Sequence, residues 1–206
     1  MNASRIQRDR LVQVMQGIHQ RGWCDGTGGN FSVVQQHHPL QLLMAPSGVD
    51  KGEVHADQLI VVDEAGNVVN GGGKASAETA LHLRIVKANK AGAVLHTHSV
   101  PGTVLSRHYE DKGGIALEGW EMLKGLDGIN THATNINIPV ISNSQSMQEL
   151  GDAIAPSLPS APNGFLVAGH GLYAWGESLE ASKRHLEILE FLLKLKLTQM
   201  QIGIQP

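Results

Sequence analysis

The sequence predicts an α/β protein in which a mixed β-sheet lies between helices. Short apolar runs of strand character alternate with longer segments of helical periodicity. Several neighbouring strands are joined by short turns, which is typical of hairpins, as at Glu64-Ala65-Gly66. The chain has 206 residues, a length that suits one domain with a proper core. We therefore expect residues 1–206 to form a single domain.

Helix and strand patterns can be placed in order through the first half of the chain. A helix is predicted from residue 4 to about residue 20, because Leu11, Met15 and Ile18 share one face. Strands are predicted over residues 31–35, 40–44, 59–63 and 67–69, with a hairpin tip at residues 37–39. A second helix, for which Ser76 is the expected N-cap, runs to about Lys90.

The second half continues the alternation. A buried strand is predicted at Ala93-Val94-Leu95, followed by a short helix over residues 100–107. Residues 118–124 are predicted to be a strand end that leads into a helical turn. Pro139 falls inside a strand over residues 136–141, which predicts an edge or bulged strand. A helix over residues 146–154, two strands around Gly169-His170-Gly171 and a last helix from Ser178 to about Met200 complete the pattern.

Two histidines follow the apolar strand at residues 93–95. Side chains two residues apart on a strand face the same side, so His96 and His98 are predicted to project together, with Thr97 on the opposite face. Two neutral imidazoles on one face form half of a site for a metal such as zinc. The alternative is a pair of ordinary polar residues at a strand end, and the pair alone does not exclude it.

A third histidine lies between two glycines far down the chain. Glycines on both sides of His170 allow a sharp turn there, and Asn or Asp would serve a simple turn better than His. Three histidines are typical of a catalytic zinc site with one position open, whereas a structural site would normally have a fourth ligand. The one cysteine, Cys24, has no cysteine partner. We therefore predict His96, His98 and His170 as metal ligands.

Five short motifs occur in an order that resembles the class II aldolase family. They are Gly-Thr-Gly-Gly-Asn-Phe-Ser (26–32), Ala-Pro-Ser-Gly (45–48), Lys-Ala-Ser-Ala-Glu-Thr (74–79), His-Thr-His-Ser (96–99) and Gly-His-Gly (169–171). The resemblance covers nearly the whole chain. It implies a three-layer α/β/α fold with a mixed, largely antiparallel sheet, and a homotetramer with sites near the subunit interfaces. Residues 120–125 and 172–176 look most like the dehydratases of methionine salvage within this family.

Three of these motifs are candidates for binding phosphate. Glycine-rich turns present backbone N–H groups to anions, and a helix N-terminus with a free hydroxyl favours a phosphate. Simple turns would explain the same residues, and the resemblance is what favours the binding role. The predicted phosphate-binding residues are Gly28, Gly29, Asn30, Ser47, Gly48 and Ser76.

Two glutamates are candidates for the acid/base of the reaction. The resemblance to the dehydratases implies that Glu121 is the catalytic acid/base, although a surface helix would also explain a Glu there. Glu78 is the alternative, because the related aldolases use a Glu at the matching place. An acid in the first turn of a helix is also expected from the helix dipole alone.

The resemblance implies a lyase that removes water from a phosphorylated ketose, with one Zn²⁺ in each subunit. An aldolase or epimerase that uses the same metal site on a sugar phosphate is the alternative. The third candidate is a binding module without catalysis, which would be expected to lose metal ligands. All three histidines and both glutamates are present, so this candidate ranks last.

The composition indicates which classes of binding partner and which cellular compartment to expect. The net charge of −3 does not predict a surface for nucleic acid or anionic membrane. A single cysteine suits a reducing compartment, and residues 1–5 lack the apolar segment of a secretory signal. The expectation from the sequence is a cytoplasmic protein.

Overall fold

The computed structural model describes residues 3–203. Its helices are α1 (Ala3–Gln20), α2 (Thr79–Asn89), α3 (Val100–His108), α4 (Met147–Ile154) and α5 (Leu179–Gln201), with short 3₁₀ turns at Glu110–Lys112 and Glu121–Gly125. The strands are β1 (Asn30–His37), β2 (Leu40–Met44), β3 (Ile60–Asp63), β4 (Val68–Asn70), β5 (Ala93–Thr97), β6 (Gly114–Glu118), β7 (Asn135–Ile141), β8 (Gly164–Val167) and β9 (Gly171–Gly176). None of the helices in this range is long and apolar enough to cross a membrane.

The strands form one mixed sheet in the order β4-β3-β2-β1-β5-β9-β8-β7-β6. Only the β7–β8 pair is parallel, and the other neighbouring pairs are antiparallel. The hairpins around residues 38–39 and 64–67 build the β4–β1 half, as the turn signals predict. The predicted mixed, largely antiparallel sheet is confirmed.

Helices cover both faces of the sheet. One core joins α1, α3 and α5 to strand residues such as Phe31, Leu95 and Leu172. The other joins α2 and α4 to residues that alternate with these, such as Val94 and Tyr173. Alternation follows from the strand geometry, in which successive side chains point to opposite faces. The three-layer α/β/α arrangement predicted from the resemblance is therefore confirmed.

Two local predictions are wrong. Strand β7 is not at an edge, because β6 lies outside it and pairs with it antiparallel. The sequence pattern indicates only the end of β6 at Glu118, since Gly114 begins the strand and only two of its five residues are buried. Pro139 is tolerated because the ladder with β8 includes only Val140 and Ile141.

The start of α2 also differs from the prediction. The helix begins at Thr79, and Glu78 before it makes no side-chain capping bond. Ser76 instead accepts a hydrogen bond from the Glu78 N–H at 3.3 Å, within a turn that precedes the helix. This turn directs the Glu78 side chain away from the helix end and toward the histidines.

Candidate metal centre

The site lies where three central strands end. Asn30 at the start of β1 pairs with His96 near the end of β5, and His96 pairs in turn with Tyr173 near the start of β9. Antiparallel pairing thus brings the glycine-rich loop before β1, the His-Thr-His segment and the Gly-His-Gly turn to the same end of the sheet. These segments are separated by more than sixty residues along the chain, so only the pairing places them together.

The three predicted histidines converge at this edge. The Nε2 atom of His96 lies 2.8 Å from Nε2 of His98 and 3.3 Å from Nε2 of His170. One nitrogen from each ring lies within 4.8 Å of the others. Three imidazole nitrogens pointing at a common centre fit a metal that prefers nitrogen ligands. His96, His98 and His170 could therefore hold a metal ion.

His96 is the most tightly held of the three. Its Nδ1 is 3.0 Å from the Leu172 carbonyl oxygen, a contact that requires Nδ1 to donate and leaves the Nε2 lone pair free. The ring is fully buried and stacks on Tyr173, which stacks in turn on Phe165. Burial lowers the pKa of His96 well below its usual value, so the imidazole is neutral at physiological pH. Neutral imidazole is the form that binds metal.

His98 is positioned by the loop before β1. Its backbone N–H donates to the Trp23 carbonyl at 2.8 Å, and a side chain at Gly28 would lie 3.0 Å from the imidazole. At Gly29, φ is +73° and a Cβ would lie 2.7 Å from the His96 carbonyl oxygen. The two glycines thus allow the loop to approach His96 and His98 closely.

The His170 turn is fixed by α3 and by a close backbone approach. Thr103 donates from its hydroxyl to the His170 carbonyl at 3.1 Å, and Ser106 accepts from the Gly169 N–H at 3.1 Å. A Cβ at Gly171 would lie 1.9 Å from the Thr97 carbonyl oxygen, so only glycine fits there. The turn therefore holds His170 rigidly opposite His96.

Glu78 lies directly beside the histidines. Its two carboxylate oxygens are 3.4 Å from Nε2 of His96 and 3.2 Å from Nε2 of His170. Burial alone would raise the pKa of Glu78, but hydrogen bonding with His170 and the charge interaction with His96 hold it far below its usual range. Glu78 is thus a carboxylate at neutral pH. Asn30 donates from its side-chain amide to the same carboxylate.

Glu121 does not lie beside the three histidines of its own chain. Its side chain is 68% exposed and forms ion pairs with Lys124 at 2.7 Å and His132 at 3.4 Å. The hydrogen bond from Lys124 lowers the pKa of Glu121. Among the residues that the structure describes, no hydrogen bond or ion pair connects Glu121 with the three histidines. Within one chain, the carboxylate that lies beside the three histidines is Glu78.

The predicted phosphate-binding residues occupy two adjoining loop regions. The Ser47 N–H donates to the Lys74 carbonyl at 2.8 Å, which joins the loop after β2 to the loop that carries Ser76. Ser47 and Gly48 are exposed, and Gly48 has φ +79°. The Gly28 N–H donates to the Asp25 carbonyl at 3.1 Å, so this amide is already used within its own turn.

Sequence reasoning missed several residues that support the site. Tyr173 stacks on His96, and Lys51 is buried beneath the loops that hold Gly28 and Gly48. Thr97, on the face away from the three histidines, donates to the buried Glu190 of α5. Each of these residues contacts parts of the chain that are distant in sequence, and no local pattern marks them.

Glu190 contributes a pH-dependent stability to the site. It is 2% exposed, and its Oε2 atom has no hydrogen-bond partner among residues 3–203. Burial raises the pKa of Glu190 to about 7, although hydrogen bonds from Ser99 and Thr97 act in the opposite direction. A carboxyl whose pKa rises on folding binds more protons in the native state than in the unfolded chain.

In the wild-type protein, ionisation of Glu190 should lower the stability as the pH rises from about 4.5 to about 7. We expect the Glu190→Gln variant to lack this pH-dependent loss. Over this window the wild-type free energy of unfolding should fall by about 3 kcal/mol through this group. Gln cannot ionise, so the variant should be the more stable protein above neutral pH. Urea denaturation on both sides of the window measures this, with the exposed Glu180→Gln of the same helix as control. Parallel pH profiles for Glu190→Gln and wild type would contradict the expectation.

Comparison with known proteins places the chain in a family. Residues 9–197 match the class II aldolase and adducin N-terminal domain family. The chain is 42% identical over 195 residues to the methylthioribulose-1-phosphate dehydratase of Yersinia enterocolitica, covering 93% of this chain and 91% of the relative. It is 43% identical over 190 residues to the same-named protein of Pectobacterium atrosepticum, covering 91% of each chain.

Solved structures give the same fold. The structure of YgbL from Klebsiella pneumoniae superposes with a TM-score of 0.82 at 26% identity, covering 97% of this chain and 92% of that one. L-fuculose-1-phosphate aldolase from Thermus thermophilus superposes with a TM-score of 0.76 at 23% identity, covering 98% and 100%. The sequence match, the shared fold and the converging histidines agree: this chain belongs to the class II aldolase and adducin N-terminal domain family.

Proposed function

We propose that the protein is a methylthioribulose-1-phosphate dehydratase. It converts 5-methylthioribulose 1-phosphate to 2,3-diketo-5-methylthiopentyl 1-phosphate and water, a step of methionine salvage. The observation that carries this proposal is the 41–43% identity to dehydratases of this name over about nine-tenths of the chain. The protein is a hydro-lyase that acts as a cytoplasmic homotetramer, with residues 1–206 forming one domain.

The metal of this enzyme is Zn²⁺, one in each subunit, held by His96, His98 and His170. Three neutral imidazoles form a ligand set that zinc favours, and they leave a coordination position for substrate. When bound, the ion polarises the C2 carbonyl of the ketose and makes the C3 proton more acidic. The buried face of His96 against Tyr173 keeps the ligand in place during turnover.

Glu121 serves as the acid/base and reaches the metal centre of a neighbouring subunit. In its own chain Glu121 is exposed and makes no contact with the histidines. Beside it, Met122 is 37% exposed and shares a surface hollow with Phe191, which is 43% exposed. Exposed large apolar side chains beside a charged residue favour a subunit contact at this surface.

One carboxylate is enough for the dehydration. Glu121 removes the proton from C3 and then donates it to the C4 hydroxyl, and this hydroxyl leaves with the proton as water. The resulting enol tautomerises to the 2,3-diketone. Glu78, a carboxylate held by Asn30, lies beside the metal centre, 3.4 Å and 3.2 Å from the Nε2 atoms of His96 and His170.

The phosphate of the substrate is bound by Gly28, Gly29 and Asn30 together with Ser47, Gly48 and Ser76. To take part, the Gly28 N–H would exchange its bond with the Asp25 carbonyl for one with the phosphate. The contact between Ser47 and Lys74 brings the second and third of these segments together, and the first adjoins His98. Anchoring the phosphate at a fixed distance from the histidines holds the reacting carbons over the metal.

An aldolase or epimerase acting on a sugar phosphate is the second candidate. It is favoured by the position of Glu78, since this carboxylate contacts two of the histidines without any help from another subunit. Such an enzyme would break the C3–C4 bond at the same metal and would use Glu78 as its acid/base. A binding module without catalysis ranks last, because the three histidines remain together in the fold.

Product analysis tests the proposed function. Zinc-loaded protein is incubated with 5-methylthioribulose 1-phosphate, and the mixture is read by mass spectrometry and NMR. A product lighter by one water supports the dehydratase. Formation of dihydroxyacetone phosphate would instead support the aldolase. Unchanged substrate in the presence of bound metal would show that this compound is not the substrate.

A further inference from the structure

Lys51 is one of the largest fully buried side chains of the protein. It is 2% exposed, although it carries an ammonium group. The group donates two hydrogen bonds of 2.8 Å, one to the Thr27 carbonyl and one to the Val49 carbonyl. These carbonyls belong to two different loops, which Lys51 therefore connects.

The charge of Lys51 is not neutralised by an ion pair. Among residues 3–203, the ammonium group has no carboxylate partner, and its third N–H has no acceptor. Burial lowers the pKa of Lys51, while charge interactions with Cys24, Asp50 and Glu78 act in the opposite direction. Burying an ammonium group without an anionic partner is costly. A bound anion would supply the missing partner.

The two loops that Lys51 connects are those expected to bind phosphate. Thr27 immediately precedes Gly28 and Gly29, and Val49 immediately follows Ser47 and Gly48. The Thr27 and Val49 carbonyl oxygens accept hydrogen bonds from the Lys51 ammonium group. Their partial negative charges are therefore directed at a cation and do not repel a bound anion. The first loop also packs closely against His98, since a Cβ atom at Gly28 would lie 3.0 Å from the imidazole.

We propose that Lys51 is the buried cation of the phosphate subsite, where it holds the two loops together and pairs with the phosphate monoester of the substrate. The proposal rests on the proposed function for the identity of the substrate, but it requires only a phosphate group. Lys51 acts in binding and positioning, and the bond changes of the reaction do not involve it.

Two substitutions separate the charge from the loop connection. Lys51→Met removes the charge and both hydrogen bonds at nearly the same length. Lys51→Gln removes the charge but keeps an N–H donor for the carbonyls. Arg8→Met is the matched control, because Arg8 also donates to two backbone carbonyls, those of Ala56 and Leu59, away from the site.

Binding of inorganic phosphate to the zinc-loaded protein is measured by titration calorimetry, beside the melting temperature, the bound zinc, and KM and kcat. We expect both Lys51 variants to weaken phosphate binding by about tenfold or more, as for the loss of a charged hydrogen bond. KM should rise by a similar factor, with kcat and bound zinc little changed. Arg8→Met should lower the melting temperature and leave phosphate binding unaltered.

Equal phosphate affinity in wild type and in Lys51→Gln, including no binding by either, would overturn the inference and leave Lys51 a structural residue. If Lys51→Met fails to fold, the comparison of Lys51→Gln with the charge-retaining Lys51→Arg decides the question. The result is separable from that of the proposed function. Lys51-dependent phosphate binding without dehydration would reject the substrate alone, whereas normal dehydration with unchanged KM in Lys51→Gln would reject the inference alone.

Discussion

His96→Ala is expected to release the metal and to lower turnover by roughly a hundredfold or more, since even the partners of metal ligands contribute ten- to a hundredfold. His96 is central among the three histidines, with Nε2 2.8 Å and 3.3 Å from the corresponding atoms of His98 and His170. The substitution also leaves a cavity beside Tyr173, which should cost about 2–4 kcal/mol of stability. Metal analysis by mass spectrometry and a steady-state assay measure both effects.

His82→Ala is the matched control for this experiment. His82 is equally buried and lies on the same side of the sheet, where its Nδ1 is 2.8 Å from the Ser32 hydroxyl, but it is not one of the converging histidines. Its loss should lower stability while zinc remains bound. If His96→Ala retained full zinc and full turnover, His96 would not be a ligand, and the metal would have to be held elsewhere.

Glu121→Gln is expected to keep the metal and lose about 10²–10⁴-fold in turnover, the range for removal of a general acid/base. The exposed position of Glu121 allows a second measurement. A mixed tetramer of Glu121→Gln and His96→Ala subunits contains neighbour pairs in which one subunit supplies intact histidines and the other an intact Glu121. Equal mixing should therefore restore about a quarter of the wild-type activity, because one ordered neighbour pair in four has this composition.

The mixing experiment distinguishes three arrangements. Restored activity means that Glu121 acts across a subunit boundary. An inactive Glu121→Gln protein that no mixing restores means that Glu121 acts on its own subunit's histidines after a rearrangement. A fully active Glu121→Gln protein transfers the acid/base role to Glu78. Glu118→Gln, at an exposed position of the adjoining strand, is the control and should keep wild-type turnover.

Much of the fold is predictable because it depends on short-range periodicity. The strand over residues 40–44 begins and ends where predicted, and the last helix follows Ser178, whose hydroxyl accepts from the Ala181 N–H as its N-cap role requires. The interior position of β7 is not predictable in this way, because it depends on β6, a strand with few buried residues. Ser76 looks like an N-cap in the sequence, yet the turn that follows it delays the helix to Thr79.

The same distinction between local and long-range information applies to the candidate site. Strand alternation and the glycines around His170 are enough to indicate the three histidines, because the direction of a side chain on a strand and the freedom of a glycine are local properties. The meeting of these histidines is not local. It depends on the pairing of Asn30 with His96 and of His96 with Tyr173, across 66 and 77 residues of chain.

Motif order and periodicity are enough to predict the family, the layered α/β architecture and the three histidines of the candidate site. The packing of remote segments determined that Glu78 lies at the histidines and that Glu121 is exposed. It also decided that Lys51 is buried without a carboxylate partner among the described residues. The physical reason is that burial, charge pairing and distance result from contacts between remote segments, whereas helices and strands result from the order of neighbouring residues.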